Sequence, residues 1–409
     1  LGDVYKRQHQ MIYTPTLVSL SPDSSIKRYP PRKPEDRQSN YLEKFDFLTV
    51  FADVFVRDDR LWMIGPKWEN LELELMASTF KWNGEDISAS IRFESLNRMS
   101  RAQAKVPNGS GVLEIDGPLG SWTMNVSEVP SDLNLDRNIL VTQQQDNRLE
   151  WIAYWAFYNV VVNNIDSIVI YDNASELYSV ELIDQVLSMV PGLKSHVVVR
   201  WDIPFGPLCG PNSMWDSDYG QHVAWEHSRR YFSPSAASAL LVDIDELPIH
   251  AEGKSLPEAL ANSGNAVLHF RRQPIFRFPN RSKTHDGIRV HADYSLGDER
   301  GAWQNFKYIY DPSQLAESSQ LMVHGVKGQF TPPPAEEEIF AGHFNAIRLH
   351  WRLGGKVPAK NLASIADITE STVRSSVFDK KFDDLAHQWK PILQKLIPLI
   401  NSQSEPHIQ

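Results

Sequence analysis

Between Asn138 and Asp245, apolar segments of strand length alternate with segments of helical length, and this alternation constrains the fold more than any other property of the chain. Ile139-Leu140-Val141-Thr142 reads as a strand. Arg148 to Asn163 has helical length, with Leu149, Ile152, Ala153, Ala156, Phe157, Val160 and Val161 at helical spacing. A strand over Ile168–Tyr171, a helix over 179–190 closed by Pro191-Gly192, and a strand over His196–Trp201 follow. The pattern ends with a helix over 219–232 and a strand over 238–242. Such alternation predicts right-handed βαβ units and a largely parallel sheet. Ligands of these sheets bind beyond the carboxyl ends of the strands. The polar clusters Thr142–Asn147, Asp172–Ser175 and Asp243–Glu246 all fall at that edge.

The last cluster carries the most chemistry. Ala239-Leu240-Leu241-Val242 leads into Asp243-Ile244-Asp245-Glu246. Residues i and i+2 of an extended segment point to one side, so Asp243 and Asp245 are expected to face one ligand. A hard divalent cation, Mn²⁺ or Mg²⁺, suits paired carboxylates and usually keeps substrate phosphates in its shell. The competing reading is an acidic surface turn.

Length and composition set the frame. The chain has 409 residues, enough for two or three domains. Its net charge of −10 argues against general nucleic-acid binding, which needs a basic face. One cysteine, Cys209, excludes an internal disulfide and fits a reducing compartment. No apolar run is long enough to span a bilayer. Residues 1–44 are expected to form a disordered or extended arm, rich in Pro and Ser; the first of them lack a signal core and an initiator Met and read as a fragment end or sequencing scar. Residues 45–135 show short β-type segments with turns at Asn83-Gly84, Asn108-Gly109 and Asp116-Gly117, and predict a small all-β domain. Its Trp62, Trp68, Trp82 and Trp122 are read as core, with a sugar-binding surface as the alternative. The α/β domain is assigned to 136–360, with strand-like pieces at Ala266–Phe270 and Ile275–Phe278. An arginine-rich zone runs through Arg271, Arg272, Arg277, Arg281 and Arg289. Residues 361–409 are expected to supply a helical cap, over Phe378–Ile400.

Several segments resemble a known family in order and spacing. They are Arg148-Leu149-Glu150-Trp151-Ile152-Ala153-Tyr154, then Ile165 to Ser175 with Tyr171-Asp172-Asn173-Ala174-Ser175, then Tyr219 to His227 with Gln221. Leu241-Val242-Asp243-Ile244-Asp245-Glu246 follows, then Lys307-Tyr308-Ile309-Tyr310, Met322-Val323-His324-Gly325 and Leu349-His350-Trp351-Arg352. Together they resemble GT-A glycosyltransferases, in particular family 92 and its family 2-like relatives, over about residues 138–355. Trp155, Leu247-Pro248 and Trp351 depart from the family pattern, and its "FG" element is not clear around Phe276–Pro279.

The resemblance implies a GT-A, Rossmann-like catalytic domain. It implies metal-dependent transfer of a sugar from a nucleotide sugar, with UDP as the better-suited nucleotide, to a glycan or glycoconjugate hydroxyl. Inversion is implied by analogy. A cation between the carboxylates and the diphosphate would act as Lewis acid and template. On this reading Asp245 and Asp243 hold the metal, with His350 or His324 completing the shell; either histidine is structural on the competing reading. Asp172, with Asn173, would accept from the base or ribose, or else cap a helix with Ser175. Thr142, Gln143 and Asp146 would line the same pocket, Arg200 would lie near it, and Arg352 would pair with phosphate. An inverting enzyme needs a general base; among Asp286, Asp293, Asp298 and Glu299, the choice falls on Asp298 or Glu299. The expected setting is cytoplasmic, with peripheral association at the inner face of a membrane. The rival readings are a non-catalytic carbohydrate-binding or assembly protein and a nucleotidyltransferase. The second is disfavoured because no Gly-rich phosphate loop is present.

Overall fold

A computed structural model describes residues 9–208, 216–281, 287–298, 304–329, 338–348, 372–374 and 376–403. The alternating segments form a mixed α/β architecture around a large, mostly parallel sheet. In chain order its elements are β1 (Asn138–Gln144), α1 (Leu149–Asn163), β2 (Ser167–Asp172), α2 (Val180–Ser188), β3 (Ser195–Arg200), α3 (Tyr219–Tyr231) and β4 (Ser238–Leu241). After these come β5 (Glu246–His250), α4 (Leu256–Ser263), β6 (Val267–Ile275), β7 (Gln304–Tyr310), β8 (Ile339–Phe344) and α5 (Ser376–Gln403). Strands β3, β2, β1 and β4 are parallel neighbours in that order, the Rossmann-like arrangement. Strand β7 runs antiparallel between β4 and β6. Strand β8 lies parallel to the second half of β6 and antiparallel to β5, which brings Glu246 opposite His343.

Strand pleating sends alternate residues into two cores. Leu140, Ile168, Ile170, Val198 and Leu240 pack with α1, α2 and α5. Ile139, Val141, Val169, Val197 and Val199 pack on the other face with Val223 and Ala224 of α3. Helix α1 is buried nearly all round, because α5 covers the side that would otherwise meet solvent, through contacts such as Tyr154 with Trp389 at 4.9 Å. The apolar face of α5 (Phe378, Phe382, Leu385, Trp389, Leu393, Leu396) is buried as its spacing predicts. No helix among the described residues is long and apolar enough to cross a membrane.

Two segments differ from their sequence reading. Strand β6 runs unbroken from Val267 to Ile275, across the polar Arg271-Arg272-Gln273-Pro274 that hid it. The predicted arm instead enters the sheet: His9–Tyr13 pairs in parallel with β3. Residues 53–126 form two four-stranded antiparallel sheets, interrupted by the six-residue helix Leu71–Met76. Trp62, Trp68 and Trp82 are buried, as the core reading requires. The first sheet shares a core with the central one: Phe55, Trp62, Ile64 and Met99 pack with Trp225 of α3 and the neighbouring strands.

Buried charge fastens that seam. Arg101 Nη1 meets Glu226 Oε1 of α3 at 2.5 Å, both side chains almost wholly buried. Asp53 meets His227 Nε2 at 2.7 Å and accepts from the Tyr13 hydroxyl at 2.7 Å, while His227 Nδ1 meets the Tyr171 hydroxyl at 2.7 Å. One network therefore joins the N-terminal strand, the small sheet, α3 and β2.

Burial alone would raise the Glu226 carboxyl, but Arg230, Arg101 and Arg229 outweigh it and hold it at about 2. Because the folded value lies below the unfolded one, Glu226 stabilises the fold above pH about 4.5, and that contribution is lost as pH falls toward 2. Glu226→Gln leaves buried guanidinium groups unpaired and should cost about 3–5 kcal/mol near neutral pH. In thermal denaturation followed against pH, the gap between wild type and variant should narrow from pH 4.5 downward. A pH-independent gap would show that this carboxylate carries no such load.

Candidate active site

The acidic motif sits at the carboxyl edge of the sheet, where the strand–helix alternation placed it. Strand β4 ends at Leu241, and Asp243 to Asp245 turn the chain into β5, with Glu246 N donating to Asp243 O at 3.0 Å. The turn separates the two aspartates that an extended segment would have kept on one side. Asp243 Oδ2 meets Lys307 Nζ of β7 at 2.8 Å, and its Oδ1 accepts from Gln221 Nε2 of α3 at 3.4 Å. Asp245 Oδ2 meets His343 Nε2 of β8 at 3.1 Å and Arg348 Nε at 4.0 Å. Burial opposes ionisation of both carboxyls; Lys307 holds Asp243, and His343 with Arg348 and Lys307 holds Asp245, below the usual carboxylate range.

Beneath the turn lies Glu246, fully buried. Its Oε1 accepts from Arg272 Nη1 at 2.8 Å. Its Oε2 accepts from the Asp243 backbone N–H at 2.9 Å and lies 3.3 Å from Lys307 Nζ. The top of the turn is fixed from the opposite side. His291 Nε2 bonds the Ile244 carbonyl at 2.7 Å, with its ring stacked on Tyr154 at 5.6 Å. Burial holds this imidazole at about 4, so it is neutral and donates to the carbonyl. Phe344 N donates to the Asp245 carbonyl at 2.8 Å.

Asp245, Glu246 and His343 offer ligand atoms within 4.8 Å of one another. Glu246 is already committed to Arg272, Lys307 and the backbone, so Asp245 and His343 are the pair open to a cation. The second nitrogen of His343 supports this. His343 Nδ1 lies 2.5 Å from Gln304 Oε1, an acceptor that places the ring proton on Nδ1. Nε2 then faces the Asp245 carboxylate at 3.1 Å, an arrangement that a shared proton or a metal ion stabilises. One carboxylate and one imidazole suit a cation that keeps substrate in its shell. The residues present therefore fit a divalent metal ion.

The other predicted positions divide. His324 does not join the cluster: it is exposed on a turn, with Nδ1 bonded to the Phe306 carbonyl at 3.0 Å. Among the described residues, the histidine beside Asp245 is His343. His350, Glu299 and Arg352 lie outside the described residues; Asp298 ends the short strand Leu296–Asp298. Asp172 accepts from Ser175 Oγ at 2.6 Å and from its backbone N–H at 3.1 Å, and Gln144 donates to it as well. These bonds hold a turn rather than a helix cap, since the next helix starts at Val180, and burial raises this carboxyl against the Ser175 bonds. Asn173 Nδ2 staples the Trp201 and Ile203 carbonyls, each at 2.8 Å. Asp146 accepts from the backbone N–H groups of Glu176 and Leu177, and Arg200 pairs with Glu181 at the surface. These four side chains are spent on local structure. Thr142 and Gln143 are different. Thr142 Oγ1 and both amide atoms of Gln143 are buried at the end of the central strand with no hydrogen-bond partner. Each such atom costs about 1–3 kcal/mol.

No family model matches the chain, and no curated protein matches it. Among solved structures, it is similar in part to S. aureus TarS residues 1–349, a glycosyltransferase, with 11% identity and a TM-score of 0.24. The match covers 44% of this chain and 48% of that one, so the chain spans about half the length of this neighbour.

Proposed function

We propose that this protein transfers a sugar from a nucleotide-diphosphate donor to a hydroxyl of a glycan or glycoconjugate, using a GT-A-type domain. The observation that carries the reading is the Asp245–His343 pair, backed by Gln304, at the carboxyl edge of a Rossmann-like sheet. Asp245 and His343 would hold Mn²⁺ or Mg²⁺, which when bound neutralises charge on the leaving diphosphate. The protein's own cations act beside it. Lys307 and Arg272 fix Asp243 and Glu246, and Arg348, half-exposed above Asp245, is placed to meet a phosphate oxygen. Thr142 and Gln143 supply unpaired hydrogen-bonding atoms for the nucleoside, with uridine as our choice. Asp298 stays our candidate general base, and inversion our stereochemical expectation.

A nucleotide-sugar panel with Mn²⁺ or Mg²⁺, reading nucleoside diphosphate release, tests the reaction. One donor should turn over, release should stop in EDTA, and Asp245→Asn should lower it about a hundredfold or more. Release that survives EDTA unchanged would assign diphosphate neutralisation to Lys307, Arg272 and Arg348 instead. No release from any donor sinks the transferase reading.

The choice of histidine is tested separately by titrating Mn²⁺ into variants. His343→Ala should abolish the site, Gln304→Ala should weaken it about 10–100-fold, and His324→Ala should leave it unchanged. The reverse order for His343 and His324 would contradict the assignment.

A further inference from the structure

Beyond β7 the chain forms a short hairpin. Gln320–Met322 pairs with Gly325–Lys327, and Val323 and His324 make its two-residue tip. Neighbouring elements hold the hairpin in place. The Tyr308 hydroxyl of β7 donates to the Met322 carbonyl at 2.7 Å, and Arg229 of α3 donates to the Ala316 carbonyl at 2.6 Å. Gln320 exchanges two hydrogen bonds with the Asn97 backbone, at 3.0 and 2.7 Å. A Cβ on Gly325 would stand 3.2 Å from His269 Nε2, so the tip also sits tightly against β6. His324 is thus presented from an anchored turn.

That turn stands at the sheet edge that carries the acidic motif. Tyr308 of β7 pairs opposite Leu241, the last residue of β4, so Gln304 to Lys307 run on past the carboxyl end of β4. His324 is bonded to this stretch: its Nδ1 lies 3.0 Å from the Phe306 carbonyl oxygen. Phe306 adjoins Lys307, whose ammonium meets Asp243 at 2.8 Å. It lies two residues, about 7 Å along the strand, from Gln304, which meets His343. A carbonyl accepts, so the ring proton of His324 is on Nδ1 and Nε2 is the basic atom. The ring is otherwise exposed, and among the described residues it makes no second hydrogen bond. Packing around its inner edge, with the Lys307 and Arg272 cations, holds the imidazole at about 4, so it is neutral at pH 7. An anionic donor arriving beside those cations offsets their charge and strengthens the base.

We propose that His324 is the general base that takes the proton of the acceptor hydroxyl. The assignment rests on the transferase reading above. In that step the acceptor oxygen bonds to the anomeric carbon as the bond from this carbon to the diphosphate oxygen breaks. The hydroxyl proton passes to Nε2, the diphosphate leaves with the electron pair, and the exposed imidazolium returns its proton to solvent. Asp298, the other candidate base, lies on the strand at the opposite side of β6 from β7, so single substitutions separate the two. The test uses the full chain with Mg²⁺ and each of UDP-glucose, UDP-galactose and UDP-N-acetylglucosamine, with water as the acceptor. UDP release should fall about a hundredfold or more in His324→Ala, while Mn²⁺ affinity stays at the wild-type value. Added imidazole should restore release in His324→Ala and not in Asp245→Asn. His324→Gln, which keeps a polar side chain but no base, should stay as slow as His324→Ala. Release unaffected by His324→Ala, loss accompanied by weakened Mn²⁺ binding, or loss that imidazole does not restore would overturn the proposal. Release kept in His324→Ala but lost in Asp298→Asn would return the base to Asp298. No release by the wild type from any of the three donors contradicts the transferase reading with a uridine donor and takes this base with it, so the two failures are distinguishable.

Discussion

The candidate site depends on a carboxylate that faces no solvent. Glu246 is held by Arg272 and Lys307 while it accepts from the Asp243 backbone, and this set decides the shape of the turn above it. Removing either cation would leave a buried charge unbalanced, which is far costlier than losing a surface pair. Lys307 extends the same constraint to Asp243, so the two aspartates of the motif are held by different partners, Asp243 by Lys307 and Asp245 by His343. The division follows from geometry: the extended pair becomes a turn, which sets Asp243 against Lys307 and Asp245 against His343. Formal charge stays nearly balanced, with Asp243, Asp245 and Glu246 matched by Lys307, Arg272 and Arg348. A neutral, preorganised site of this kind changes its net charge only when substrate and counter-ion arrive together.

A second buried network holds the frame on which the site is built. Helix α3 carries Glu226 and His227 toward the small β-sheet, and Gln221 from its first turn reaches Asp243. The helix thus links the N-terminal sheet to the acidic turn as one packed unit. This explains why Phe55, Trp62, Ile64 and Met99 share a core with the α/β sheet, while Val54, Met63, Trp68 and Phe80 pack in a separate core on the other side. It also explains why the N-terminal strand matters, since Tyr13 completes the Asp53–His227 network.

The parallel sheet was legible because its signal is local. The apolar spacing of α1 and the short Val- and Ile-rich strands each report their own conformation, and Pro191-Gly192 marks the end of its helix region. Strand β6 was not, because Arg271 to Pro274 are polar for reasons that lie in other strands: Arg272 is there to meet Glu246. The site itself was half legible. Asp245 stands at a strand end that the sequence announces. His343 sits in Ala341-Gly342-His343-Phe344, which looks like any buried strand; only its pairing with β5 sets it opposite Glu246. Lys307, Gln304 and His291 likewise owe their roles to long-range register, which no local pattern carries. Asp172 and Asn173 were found as a polar strand end, but their partners prove to be the turn itself and the chain after β3.

The central claim is that a divalent cation at Asp245 and His343 holds a nucleoside diphosphate. Electron spin-echo spectroscopy of the full chain with Mn²⁺ and UDP tests it most directly, because it reads the nuclei bonded to the metal. The account predicts ¹⁴N coupling from one imidazole, lost in His343→Ala, together with ³¹P coupling from the diphosphate. Absence of nitrogen coupling, or coupling that persists in His343→Ala, would contradict it.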